Sequence, residues 1–171
     1  MKIRKTTMQD MGAILKIYDI AREQMKKNGN SNQWRNGYPT EEIVINDINN
    51  QHSYTIERDG KICGVFVFMI GSEPTYKVIE DGAWINNEEY GVIHRIAGNR
   101  TAKGIFQACM SFCEKRADNI RIDTHRDNKI MQYLLEKNGF QKCGTIYVAD
   151  GTPRIAYQKV TRINSEDLGR R

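Results

Sequence analysis

The sequence predicts a mixed α/β (α+β) fold, and three features of it carry that prediction. Tyr54 to Arg58, the turn pair Asp59-Gly60 and the apolar run Ile62 to Ile70 together form a β-hairpin signature. Met11, Ile14, Leu15, Tyr18, Ala21 and Met25 recur at helical spacing. From Tyr90 onward the pattern runs from strand through a glycine-containing loop into helix.

Lys2-Ile3-Arg4 reads as a short first strand. Thr7, with Asp10 three residues later, caps the first helix, and Gly29 closes it. Asn30 to Pro39 is polar apart from Trp34 and Tyr38, which suits a loop that lines a pocket. A second helix follows, capped by Thr40 and carrying Glu41 and Glu42 where the helix dipole favours negative charge. After the hairpin, Gly71 to Glu89 offers only short edge signals at Val78-Ile79 and Ala83-Trp84-Ile85.

Val92 to Ile96 is a strand, Ala97 to Lys103 a loop, and Gly104 opens a helix. Ile105, Ala108, Cys109, Phe112 and Cys113 make its core-facing stripe. Asn119 to Thr124 is the next strand. Asp127 then caps a helix with Met131, Leu134 and Leu135 turned inward, and Gly139 ends it. Strands at Cys143 to Val148 and Arg154 to Val160 flank the turn pair Asp150-Gly151. The order is therefore β-α-α-β-β-β-α-β-α-β-β, one domain over residues 1–160 with a polar tail at 161–171.

Composition narrows the function classes. The chain has 171 residues, 39% apolar and 27% charged, and no apolar run approaches the roughly 20 residues that span a bilayer. The N-terminus is charged but lacks the apolar stretch of a secretory signal, so a cytoplasmic protein without membrane association is expected. The net charge of +5 comes from scattered basic residues rather than a stripe, which suits an anionic ligand better than a nucleic acid. Cys63, Cys109, Cys113 and Cys143 show no C-x-x-C spacing and read as reduced thiols. Cys109 and Cys113 share a helix face, where core packing explains them better than a metal.

The residues from Ala97 to Phe106 can bind an anion, because the N–H groups at a helix N-terminus point outward and the helix dipole favours negative charge. Gly104 permits close backbone approach, and Arg100 and Lys103 add positive charge in the same turn. An ordinary loop whose glycine eases a turn fits the same residues.

The element order and the stretch from Val92 to Phe140 resemble the GNAT acetyltransferase superfamily. That family's cofactor loop, Gln/Arg-x-x-Gly-x-Gly/Ala, falls on Thr101-Ala102-Lys103-Gly104-Ile105-Phe106, where only the central glycine matches and Arg100 stands one place early. Asn128 and the pair Gly139-Phe140 match the family's next helix better. The resemblance implies a mixed, mostly antiparallel central sheet flanked by helices, with acetyl-CoA as acyl donor and no metal. It implies a pyrophosphate at Arg100 to Gly104, a contact from Asn128, and a bulged fourth strand whose backbone near Ile96 pairs with the pantetheine amides. A backbone N–H there also suits an oxyanion. The family's acid tyrosine position holds Leu135, and Tyr133 points about 200° around the helix from it. Tyr147 is the substitute acid candidate.

The reaction implied is direct transfer of an acetyl group to a primary amine on a small molecule or peptide, in a ternary complex. His94 is the candidate base, since imidazole titrates near 6.5 and strand alternation puts His94 on one face with Ile96. A histidine satisfied by a neighbouring strand or loop is the plainer alternative. Glu80 and Asp81 are further base candidates, His52 reads as a surface loop residue, and His125 as a polar group before a helix. Trp34 and Tyr38 either shape the acceptor site or cap the core. A cysteine nucleophile lacks a neighbouring base, and a degenerate acyl-CoA-binding module is the non-enzymatic rival, given Thr101, Phe106 and Leu135. The exposed strand edges of this fold permit a homodimer.

Overall fold

Asp59 (φ 52°) and Gly60 (φ 73°) both take left-handed backbone, so the first hairpin closes through a two-residue turn whose twist matches its strands. Around it the computed structural model describes residues 1–161. The strands are β1 (Lys2–Lys5), β2 (Ser53–Arg58), β3 (Lys61–Ile70), β4 (Gly91–Gly98), β5 (Asn119–Thr124), β6 (Gln141–Tyr147) and β7 (Pro153–Val160). The helices are α1 (Met11–Lys27), α2 (Glu41–Asn49), α3 (Ile105–Glu114) and α4 (Lys129–Lys137), with 3₁₀ turns at Met8–Asp10 and Pro74–Tyr76. This is the order read from the sequence. The 7 strands form one sheet in the order β1-β2-β3-β4-β5-β7-β6, antiparallel throughout except for β4 beside β5.

Helix boundaries follow their capping chemistry. Thr7 caps the short 3₁₀ turn that leads into α1, and its N–H donates to Asp10 Oδ2 at 2.8 Å. Beyond α1, Gly29 takes φ 77° and the Asn30 N–H returns to the Met25 carbonyl at 2.8 Å, which ends the helix. The cap of α4 differs from expectation. Asn128 rather than Asp127 accepts from the Met131 N–H, at 3.0 Å, so the helix begins one residue later. Thr161, the first residue of the expected tail, hydrogen-bonds to the Asp118 carbonyl, and residues 162–171 lie outside the described residues.

Two helix pairs cover the two sheet faces. α3 and α4 pack against Phe66, Phe68, Ile93, Ile120 and Ile122, with Leu135 fully buried among them. Leu135 is therefore a core residue, and its truncation to alanine costs roughly 2–5 kcal/mol. α1 and α2 cover Val65 and Ala97 on the other face through Ile14, Ile17, Tyr18, Val44 and Ile48. A third cluster, built on Tyr76, Val92, Ile146 and Ala156, lies beneath the segment between β3 and β4. All four cysteines are free and buried, and burial pushes the Cys109 thiol up.

β4 sets up the site. Val65 pairs with Ala97 but Val67 pairs with His94, so β4 carries one extra residue across that interval. The bulge falls at Arg95, a non-glycine residue at φ 50°, a conformation that costs on the order of 1 kcal/mol. Beside β5, β4 pairs only through Gly91 with Ile120 and Val92 with Arg121, and the strands then part. The extra residue also overturns the expected alternation. Ile96 packs with Ile93 against the α3 and α4 side, whereas His94 lies beside Tyr76 on the opposite face, ring centroids 6.1 Å apart.

Candidate active site

The parted ends of β4 and β5 open a cleft of about 530 Å³. Ile93 and Ile96 of β4, Ile122 of β5 and Met131 of α4 give it an apolar wall. His94, Arg95, Asp47, Glu73 and Asp123 give the other wall its polar character. A slot with one apolar and one polar side suits a flexible chain meeting a polar acceptor.

Arg95 anchors the polar wall. Its Nε and Nη2 donate to Asp47 Oδ2 and Oδ1 at 2.8 and 2.6 Å, and Nη1 donates to the Tyr38 hydroxyl at 2.8 Å. Its carbonyl accepts from the buried Tyr18 hydroxyl at 3.1 Å, so backbone and side chain of the bulge residue are both held. Burial works against the Arg95 charge, and Tyr38 and Asp47 outweigh it, leaving the guanidinium firmly protonated.

His94 meets a carboxylate here. Its Nε2 lies 3.0 Å from Glu73 Oε2, and Glu73 Oε1 accepts from the Thr75 hydroxyl and N–H at 3.0 and 3.3 Å. Burial works to raise the Glu73 carboxyl, but the His94 contact and the Thr75 donors prevail and hold it at about 2. Nearby, the buried Tyr76 hydroxyl donates to Asp123 Oδ2 at 2.7 Å. Burial, then the Asp123 charge, raise the Tyr76 phenol.

The loop before α2 forms the cleft's lip. Trp34 and Tyr38 both line it, and Trp34 also stacks edge-on to Tyr18, centroids 5.6 Å apart, so it shapes the site and caps the core at once. Gln33 ties this loop to α4, because its Oε1 accepts from Asn128 Nδ2 at 2.8 Å and from Asn30 Nδ2 at 2.9 Å. Asn128 thus caps α4 and reaches the cleft together. Arg154 closes the far side, donating from Nη2 to the Gln33 carbonyl at 3.1 Å, and burial lowers its pKa. His52, expected on a surface loop, lines the cleft as well. His125 sits before α4 with Nδ1 accepting from the Asp127 N–H at 3.1 Å, and burial lowers its pKa.

The loop from Arg100 to Gly104 lies beyond the cleft, at the N-terminus of α3. Gly104 takes φ 84° at the cap position and no side chain there accepts from the helix, so the first α3 N–H groups keep their outward dipole. A Cβ at Gly104 would come no nearer than 4.0 Å, to Met1 Cε, which leaves the approach open. The Thr101 hydroxyl and N–H turn back to Asn99 Oδ1, and Arg100 bonds to Gln24 on α1. Ala102, Ile105 and Phe106 direct their side chains to the core, so any part they play at the surface is through backbone. The open helix end and the parted strands together fit an acyl-CoA.

Several expected residues are not brought to the cleft. Tyr147 is exposed on β6, its hydroxyl donating to Glu80 Oε2 at 3.0 Å, and that bond raises its pKa. Glu80 bridges Thr145 by backbone at the far side of the sheet, and neither it nor Asp81 lines the cleft. Tyr133, which was not expected in the site, is exposed on α4 while Leu135 is buried. Sequence reasoning missed Asp47, Glu73, Arg95, Asp123 and Arg154. Glu73-Pro74 did carry a local signal, a capping acid before a proline, since Glu73 caps the 3₁₀ turn. The remaining four carry no local motif.

Comparison with known proteins adds a family. A GNAT-family acetyltransferase from Streptococcus agalactiae has a similar structure, at TM-score 0.86 and 32% sequence identity, over 95% of this chain and 96% of that one. A Staphylococcus aureus protein assigned as an acetyltransferase is similar at TM-score 0.68 and 30% identity, over 95% of this chain and 100% of that one. The fold alone is shared with a ribosomal-protein-alanine N-acetyltransferase from Brucella melitensis, at TM-score 0.63 and 18% identity, over 94% and 99% of the two chains. No protein-family model matches the sequence, and neither does any curated protein.

Proposed function

The chain belongs to the GNAT acetyltransferase family, and from that premise we propose that it transfers an acetyl group from acetyl-CoA to a primary amine, within a domain spanning residues 1–160. The observation that carries this reading is the bulge at Arg95 with the parting of β4 from β5 after Val92. Parted strands expose main-chain groups to an extended amide-bearing chain, which docks as an added strand does.

Acetyl-CoA supplies an acetyl group already activated as a thioester. The protein's part is to hold, orient and deprotonate. The backbone from Arg100 to Gly104 and the first N–H groups of α3, at Ile105 and Phe106, receive the pyrophosphate, with Arg100 and Lys103 adding charge and Thr101 and Ala102 shaping the turn. Ile96 offers backbone to the pantetheine arm and to the developing oxyanion, and Asn128 offers its amide. Trp34 and Tyr38 form the acceptor's side of the cleft. His94, on the polar wall, takes a proton from the incoming ammonium so that the nitrogen attacks with a free electron pair. The buried, free cysteines suit a reducing compartment, which is why we place the enzyme in the cytoplasm. No helix of the described residues is long and apolar enough to cross a membrane.

His94→Gln tests this assignment, because the shape is nearly kept and the titrating group is lost. A fall in kcat of about 100-fold or more, with loss of the acidic limb of the pH profile and unchanged acetyl-CoA binding, is expected. Full turnover with the limb intact would remove His94 from the chemistry.

A further inference from the structure

His94 is not alone on the polar wall, and its partner is held unusually well. The Glu73 carboxylate bridges His94 Nε2 at 3.0 Å on one oxygen and the two Thr75 donors on the other. Its backbone N–H donates to the Tyr90 hydroxyl at 3.0 Å, and Pro74 follows it directly, so the residue is fixed from main chain to carboxylate. Both side chains are mostly covered, 20% exposed for His94 and 14% for Glu73. The Tyr76 ring lies beside the imidazole, centroids 6.1 Å apart.

An ionised carboxylate accepts hydrogen bonds only, so the nitrogen facing it carries the proton in the neutral ring. That nitrogen is Nε2. Nδ1 then bears the lone pair, and it has no hydrogen-bonding partner among the described residues, in a side chain that lines the cleft. Resting on the acyl-transfer reading of this cleft, we infer that Glu73 is the positioning residue for His94, fixing the tautomer that presents Nδ1 to the acceptor amine and stabilising the imidazolium that forms.

Transfer from a thioester to an ammonium breaks two N–H bonds and the C–S bond and forms the amide C–N bond. The second N–H proton passes through solvent to the departing thiolate, which leaves as the thiol, and the first is the one that His94 handles. At His94, one N–H bond of the acceptor ammonium breaks, its electron pair stays on nitrogen, and the proton bonds to Nδ1. The imidazolium keeps its Nε2–H on Glu73 and then loses the Nδ1 proton to solvent. Glu73 itself does not take it, because a carboxyl held at about 2 retains no proton at neutral pH. The other charged or titratable groups that line the cleft are Arg95 with its Asp47 and Tyr38 partners, Asp123 on β5, Arg154 on β7, His52, Arg35 and Asp150. Arg95 is neutralised by Asp47 and Asp123 is engaged by Tyr76, so Glu73 is the carboxylate in direct contact with the imidazole.

Glu73→Gln should lower kcat/KM for the amine by about tenfold or more and move its acidic limb to lower pH, because the neutral amide no longer favours imidazolium. The KM for acetyl-CoA should stay the same. Nitrogen NMR of the unsubstituted protein gives a second readout, with the neutral His94 ring expected to carry its proton on Nε2. An Nδ1–H tautomer would overturn the inference without any variant having to fold. His94→Gln separates this claim from the one beneath it. If His94→Gln removes the acidic limb while Glu73→Gln alters neither rate nor limb, the positioning role is wrong and the base assignment stands. If His94→Gln itself leaves the limb in place, both fall together.

Discussion

Arg95 and Asp47 meet through two hydrogen bonds of 2.8 and 2.6 Å, joining the bulge of β4 to α2 across 48 residues of sequence. The pair is well covered, with side chains 15% and 11% exposed. It offsets the left-handed backbone at Arg95 and fixes the point where the strands part. Asp47→Ala leaves the guanidinium covered and without its carboxylate, so a loss of about 3–5 kcal/mol is expected in urea unfolding. A loss under about 1 kcal/mol would mean that the bulge is held by something else. Replacing both residues by apolar side chains should cost less than the sum of the single changes.

Asn128 has two duties that one substitution separates. Its Oδ1 caps α4 and its Nδ2 holds Gln33. Asn128→Asp keeps a capping oxygen, removes the amide donor and adds negative charge. Apo stability should change by no more than about 1 kcal/mol, while acetyl-CoA binding weakens by about tenfold or more. Unaltered affinity with a large drop in the melting temperature would confine Asn128 to the helix end and the loop.

Much of the fold was legible because periodicity and turn chemistry are local. The hairpin at Asp59-Gly60, the stripe of α3 and the stop at Gly139 each follow from a few neighbouring residues. The cap at Asn128 in place of Asp127 was a one-residue error of the kind local reasoning makes. A family pattern pointed to Asn128, which lines the cleft, and to Gly104, which opens α3 beyond it. The site was illegible where distant side chains meet, since Glu73 and His94 are 21 residues apart and lie in segments with no shared pattern. The bulge explains the remaining error. One extra residue at Arg95 turns Ile96 away from His94, and strand alternation has no means of announcing it.

Gly104→Val probes the proposed pyrophosphate site at the start of α3. Open space surrounds the position, so the cost arises from φ 84°, which a β-branched residue resists. The turn must rearrange, and the N–H groups that open α3 lose their alignment. Calorimetry should show acetyl-CoA binding at least about tenfold weaker, with the α3 core still folded. Equal affinity in variant and parent would place the pyrophosphate elsewhere.

Asp10 carries a pH dependence that is independent of catalysis. The hydrogen bond from the Arg4 guanidinium lowers its carboxyl, burial opposes this, and the Thr7 N–H adds to the lowering, leaving it at about 2 against an ordinary 3.8. A depressed folded-state value stabilises the protein above the unfolded value and ceases to do so as pH falls through the folded one. About 2 kcal/mol should therefore be present above pH 4 and disappear between about pH 4 and pH 2. Asp10→Asn should flatten that part of the stability profile, measured by denaturant unfolding at each pH. A profile identical to the parent's would mean that the Arg4 pair does not contribute.

The most direct measurement is release of free thiol from acetyl-CoA in the presence of single amines, with polyamines, amino acids, aminoglycosides and peptide N-termini as the panel and mass spectrometry of the products. The predicted result is thiol release that requires both substrates and equals the N-acetylated amine formed, for at least one class of acceptor. Tight acetyl-CoA binding with no amine raising thiol release above slow hydrolysis would contradict the account and leave the chain an acyl-CoA-binding module.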